Sequence, residues 1–227
     1  MASSTLIVTV PATNYSLLTV GEMRSAVGAV DGSLDSELNE LSSQVNEALA
    51  DVCNMRRAGI SPLTLRQETY TELFRASPER QTDAGNAGGM TPPNYAAMSP
   101  NLILSRRPVS SIASVTEGDT LLAATDYELD SAAGIIRRLS GDSMSHWCSS
   151  KISVVYVAGW LTVPGALKRA AQQLLNAYYS DSKRNPLVLR EKVEGLGETW
   201  YSPGSGGDIP PDVMEMLERG GFVNVRI

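Results

Sequence analysis

The chain has 227 residues, 42% of them hydrophobic and 19% charged, which is the balance of a globular protein and not of a disordered one. Nineteen basic against 25 acidic side chains leave a formal charge of −6, and this argues against a protein that grips nucleic acid by bulk charge, since phosphate binding needs a basic face. No run approaches about 18 uninterrupted apolar residues, so nothing in the sequence reads as a membrane span.

Residues 1–10, MASSTLIVTV, lack a basic leading region, and their apolar run is short and β-branched, unlike a signal peptide. Cys53 and Cys148 lie in segments of different character and read as reduced, small hydrophobes in a chain made in a reducing cytoplasm. Charge is unevenly spread: residues 1–150 carry 10 basic and 17 acidic side chains, residues 151–227 carry 9 and 8.

A first helix is predicted over about 19–29. Thr19 can accept from the amide near Glu22 while Glu22 reaches back, a reciprocal cap, and Val30-Asp31-Gly32 closes the segment. A longer helix is predicted over 34–57, because Leu34, Leu38, Leu41, Val45, Leu49 and Val52 recur at steps of three and four beside Asp35, Glu37, Glu40, Glu47 and Asp51. Arg56 and Arg57 suit its negative end, and Gly59 its stop. Residues 63–74, LTLRQETYTELF, favour a strand, with helix as the alternative for their second half.

Residues 76–100 hold Gly85, Gly88, Gly89, Pro78, Pro92, Pro93 and Pro100 without periodicity and read as a long projecting loop. From residue 101 the texture changes to short strands, at 102–104, 110–116, 127–129, 135–139 and 152–157. Turn formers such as Glu117-Gly118-Asp119 and Ser140-Gly141-Asp142 separate them, giving a small antiparallel β subdomain over about 101–158. Pro164 suits the first turn of a helix over 164–182 with an apolar face of Leu167, Ala170, Ala171, Leu174, Leu175 and Tyr178. Residues 185–227 read as a glycine-interrupted tail carrying Leu187, Val188, Leu189, Trp200 and Tyr201. A short helix from Pro210-Pro211-Asp212 follows, ended by Gly220-Gly221, and then a last strand at 222–225. The expected fold is thus α+β: an antiparallel helical core with a small antiparallel β subdomain (together 1–184), and an extended C-terminal tail (185–227).

Catalytic chemistry finds little support. A serine nucleophile needs a base and an orienting acid, and triads are assembled from distant segments. Asp142, Ser143 and the lone histidine, His146, crowd within five residues and read as a polar turn. One His and two isolated Cys exclude a zinc ligand set. The acidic residues of the long helix lack the accompanying Glu-x-x-His of carboxylate-bridged sites. Gly204-Ser205-Gly206-Gly207 lacks the Lys-Ser/Thr of a phosphate loop. Arg106-Arg107 and Arg137-Arg138 read as charges guarding strand edges. No catalytic residue, metal or cofactor is therefore expected.

The tail is too broken to form its own core and too apolar to stay solvated at low cost. Either it folds back over its own domain or it buries Leu187, Trp200, Phe222 and their neighbours against another chain, as an added strand or a docked helix.

In order along the chain, several pieces resemble the head–tail connector, or adaptor (head-completion), proteins of tailed bacteriophages and gene-transfer agents. Leu17-Leu18-Thr19-Val20-Gly21-Glu22 is similar to the family's opening helix and precedes the long acidic helix. Arg107-Pro108-Val109-Ser110-Ser111-Ile112 resembles its Pro-Val strand, and Asp126-Tyr127-Glu128-Leu129-Asp130 a following strand. Val154-Val155-Tyr156-Val157-Ala158-Gly159-Trp160, then Val163-Pro164-Gly165-Ala166-Leu167-Lys168-Arg169-Ala170, resembles the run into the last core helix. The departure is the long Gly/Pro-rich segment at 76–100, where many relatives are shorter.

The resemblance implies a non-enzymatic virion protein of the neck, made in the host bacterial cytoplasm, forming a ring of roughly twelve copies beneath the portal. Its implied partners are the portal protein, neighbouring copies of itself and a downstream stopper or tail protein. DNA passes through the ring without tight binding, and no membrane is involved. It further implies portal docking through Pro210, Pro211, Val213, Met216, Leu217, Phe222 and Val225, with Leu187, Val188, Leu189 and Val193 as candidates for the subunit–subunit seam. Other readings are a neck stopper or tail terminator, an intracellular serine hydrolase using Ser143, and a DNA-binding regulator, which the charge disfavours.

Overall fold

The computed structural model describes residues 3–53, 55, 58, 62–75, 100–183, 190–193, 197–200 and 209–223, with the backbone alone for 190–193 and 197–200. In chain order the elements are β1 (Ser3–Val10), α1 (Val20–Val27), α2 (Asp35–Val52), β2 (Glu68–Arg75), β3 (Asn101–Ile103) and β4 (Val109–Glu117). There follow β5 (Thr120–Leu121), β6 (Tyr127–Asp130), β7 (Ile135–Ser140), β8 (Ser143–Met144), β9 (Lys151–Ala158), α3 (Gly165–Lys183), β10 (Arg190–Val193), β11 (Gly197–Trp200) and α4 (Pro211–Arg219). The fold class is α+β with antiparallel sheets.

Two units make up the chain. One comprises Met1–Thr13, Arg56–Ser61 and Gln67–Leu161; the other comprises Asn14–Met55, Pro62–Arg66 and Thr162–Ile227. The first is all β and larger than the small 101–158 subdomain expected, because β1 and β2 join it. A five-stranded sheet runs β1-β2-β9-β4-β5, and a second sheet runs β3-β7-β6 with β8 paired to β7. β2 continues as strand through Arg75, so the helical alternative for its second half fails. β1 is a strand beyond those expected, and its β-branched run is what a pleated, half-buried surface prefers.

Period-two alternation sets the faces. On β9, Ile152, Val154, Tyr156 and Ala158 turn inward; on β2, Glu68, Tyr70, Glu72 and Phe74 do so. In the ladder Tyr70 pairs with Tyr156 and Phe74 with Ile152. These apolar residues join Leu6, Leu102, Leu104, Val109, Val115, Ile136 and Trp147, drawn from both sheets and their connections, in one core. Gly118 and Gly141 open two-residue hairpin turns at φ 62° and 59°, where a side chain would be strained.

The helical unit follows the apolar periodicity closely. Thr19 Oγ1 accepts the Glu22 amide at 3.3 Å and the Glu22 carboxylate accepts the Thr19 amide at 2.7 Å, completing the expected cap of α1. On α2, Leu38, Val45 and Leu49 are buried, but the helix ends at Val52, short of the expected 57. Pro164 directly precedes α3, its carbonyl accepting the Lys168 amide at 3.0 Å, and Leu167, Ala170, Ala171, Leu174 and Leu175 are fully buried. Ion pairs tie the helices at their rims: Lys168 to Glu22 (2.6 Å), Arg24 to Asp35 (2.5 Å) and Lys183 to Glu37 (2.8 Å).

Candidate functional site

The C-terminal region departs from an extended tail. β10 and β11 form an antiparallel hairpin, and α4 packs against α3 within the helical unit. Of the expected docking residues, Val213 and Leu217 are buried, at 1% and 0% exposure. Their four-residue spacing puts them on one face of α4, the face that a helix packed on a neighbour must bury. Both side chains turn inward in this chain.

Pro211 is exposed, while Pro210, Met216 and Phe222 are half-buried. The Phe222 ring folds back into the space a Cβ on Gly220 would need, so the Gly-Gly stop has a packing reason. Residues 222–223 are not in a strand, contrary to expectation. Val225, Leu187, Val188 and Leu189 lie outside the described residues, as does the 76–100 loop except Pro100. Val193 pairs in backbone with Gly197 in the hairpin. The accessible side of α4 presents Pro211, Asp212, Glu215, Glu218 and Arg219 with Met216 at its margin.

A second constellation lies inside the β unit, where no sequence argument placed it. Glu68, Glu72 and Arg106 are 3%, 0% and 2% exposed. Glu72 accepts the Ser105 amide (2.9 Å), the Ser105 hydroxyl (2.5 Å) and the Tyr156 hydroxyl (2.9 Å). Glu68 accepts the Tyr70 hydroxyl (2.6 Å) and the Ala12 amide (3.1 Å). The Arg106 guanidinium stacks 5.2 Å from the Tyr70 ring centroid, with its Nε and Nη1 lacking hydrogen bonds. Burial, and next the Glu72 charge, push the Tyr156 hydroxyl well above the usual tyrosine range, so it remains a donor. The signal for this cluster was present in E-T-Y-T-E-L-F, whose alternation puts Glu68 and Glu72 on the face of Tyr70 and Phe74.

Arg106 thus guards no strand edge. Neither do Arg137 and Arg138, since β7 is flanked by β3 and β6. They pair instead with Glu128 (3.4 Å) and Glu117 (3.1 Å).

Asp142, Ser143 and His146 are exposed at the β7–β8 hairpin and just beyond it, and no hydrogen bond joins them. A nucleophile–base–acid relay needs such bonds. Among the described residues no three or more His, Cys, Asp or Glu are placed to hold a metal ion, and no helix is long and apolar enough to cross a membrane. Both cysteines are free; burial pushes the Cys53 thiol up to about 12, whereas Cys148 is exposed.

No protein-family description matches the chain, and no curated protein matches it. Among solved structures it is similar to a chain of one described as the neck of a native GTA particle computed with C12 symmetry. The two are 18% identical with a TM-score of 0.46, over 98% of this chain and 96% of that one. At that distance the likeness carries no functional weight.

Proposed function

We propose that this chain is a structural subunit of a virion neck, an adaptor that forms a ring under the portal, joins the DNA-filled head to the tail and continues the DNA channel. The observation that carries this reading is the ordered resemblance across residues 15–184. Its pieces fall on α1, α2, β4, β6, β9 and α3 in turn, and its densest stretch runs from the end of β9 through Pro164 into α3. In a ring each seam is heterologous and closes by rotation. Leu187, Val188, Leu189 and Val193 are the proposed seam residues. The net charge of −6 suits a channel through which DNA slides without being retained.

The α4 region is the proposed portal contact, in a form adjusted to its packing. Val213 and Leu217 hold the helix on α3, leaving Pro210, Pro211, Met216 and Phe222, with Val225, to meet the portal. A neighbouring stopper or tail protein is the proposed downstream partner.

Native mass spectrometry of the full chain, alone and with the portal protein of its particle, tests this. A discrete multi-copy complex with the portal is expected, weakened by Met216→Asp while the far-ultraviolet circular dichroism stays unchanged. A chain that stays monomeric and ignores the portal overturns the reading.

A further inference from the structure

The two edges of the five-stranded sheet are built differently. At one, β4 breaks register with β9 twice, between Val109 and Ser111 and between Ile112 and Ser114, and only the two-residue β5 lies beyond it. Bulges and very short strands keep a sheet edge from pairing with another chain. At the other edge, β1 runs for eight residues, and its register with β2 is unbroken from Ser3 to Val8. Among the described residues no strand lies on its outer side. β1 holds no charge and no Pro, and the first charged side chain of the chain is Glu22. Thr5 and Ile7, which face away from the core, are exposed, Ile7 by 56%.

Such an edge presents a row of backbone N–H and C=O groups, and an extended backbone is what complements it. The strand that fits must match the length of β1 and carry no charge, because β1 offers no counter-charge. The other accessible strands of this chain do neither. β3 has three residues; β6 has four, with Glu128 and Asp130; β10 and β11 have four each, with Arg190, Glu191, Lys192 and Glu198. β1 of a second copy does both. Antiparallel partners share a face, so a two-fold axis normal to the sheet passes through a residue and not between two. An axis at Leu6 keeps both inward faces on one side and sets Thr5 of each copy opposite Ile7 of the other, a β-branched pair on the exposed face.

We propose that β1 is a self-pairing edge, through which two copies of this chain join antiparallel about Leu6. The contact is isologous and closes at two copies, unlike the heterologous seam of a ring, so it stands independently of the neck assignment.

Sedimentation velocity of the full-length protein over a concentration series tests this. One strand pair is a small contact, so a dimer with a dissociation constant of roughly tens of micromolar is expected. Thr5→Lys combined with Ile7→Lys sets Lys opposite Lys twice across the axis and should weaken the dimer at least about tenfold. Thr5→Lys combined with Ile7→Glu sets Lys opposite Glu and should recover it. Both positions are exposed in the single chain, so the far-ultraviolet circular dichroism of each variant should match the parent. The proposal is overturned by a parent chain that stays monomeric throughout the series, or by a complex of any size that the Lys–Lys variant leaves intact. A Lys–Glu variant that associates no more tightly than the Lys–Lys variant overturns it equally.

Discussion

The two units treat charge in opposite ways. In the helical unit the buried face of α3 is apolar, with Leu167, Ala170, Ala171, Leu174 and Leu175 at 0% exposure, and charges meet in rim pairs such as Lys168 with Glu22. The β unit buries Glu68, Glu72 and Arg106 on or beside the inward face of its main sheet. Rim pairs in high dielectric contribute little, so apolar burial carries the helices. Buried carboxylates instead demand their partners, and those partners exist in one register only. Slipping β2 by a single residue would turn Glu68 and Glu72 to the opposite face and strand Tyr156 and Ser105 without an acceptor. The polar cluster therefore specifies the sheet, while the helical interior supplies bulk stability.

The largest expected effect breaks that cluster. Glu72→Ala removes the acceptor of three hydrogen bonds and leaves buried donors unpaired, at a cost of about 1–3 kcal/mol for each buried group orphaned in urea unfolding. Tyr156→Phe removes one of those bonds, and the double variant should show a coupling of roughly 0.5–3 kcal/mol. A loss under about 1 kcal/mol for Glu72→Ala would mean that the cluster does not set the register.

At the helical unit the expected effects are smaller. Thr19→Ala removes one half of the α1 cap, costing about 1 kcal/mol by the same measurement. The pH response sharpens the contrast. The Lys168 ammonium, and then the Thr19 amide, hold the Glu22 carboxyl below its ordinary 4.5, and Arg24 holds Asp35 below its ordinary 3.8. A lowered carboxylate contributes stability that is complete above its unfolded-state pKa and is lost as pH falls through the folded-state value. The urea midpoint of the helical unit should therefore hold as the solution is acidified to pH 4.5 and slip slightly below it, as the two carboxylates take up protons. Lys168→Met should move the acid midpoint upward.

How legible each region was follows from the same contrast. The α1 cap, the stripe of α2 and the apolar face of α3 could all be read from spacing, because a helix draws its periodicity from its own neighbours in sequence. Strands β3, β4, β6, β7 and β9 were legible from their turns. β1 was not, since a short apolar run becomes a strand only by pairing with a distant segment, Ser3 with Arg75 at one end and Val10 with Thr69 at the other. Arg106 looked like an edge guard because nothing local reveals that Tyr70 will lie beneath it. In the C-terminal segment Val213 and Leu217 signalled a need for burial, but their sequence could not say that α3 of the same chain would meet it.

The smallest expected effect lies on the accessible side of α4, where Arg219 and Glu215 pair at 2.6 Å with side chains 79% and 59% exposed. Such a pair, four residues apart on one helix, contributes only about 0.3–0.5 kcal/mol and is screened by salt. Arg219→Ala should accordingly shift urea unfolding by no more than that, and by less still at about 1 M salt, where the screening length falls to roughly 3 Å. If Arg219→Ala leaves the fold unchanged yet weakens capture by the portal, the charge serves the partner-facing side of α4 and not the packing of the helix on α3. A stability loss as large as that of Thr19→Ala would point the other way, to an α4 held on its unit by more than Val213 and Leu217.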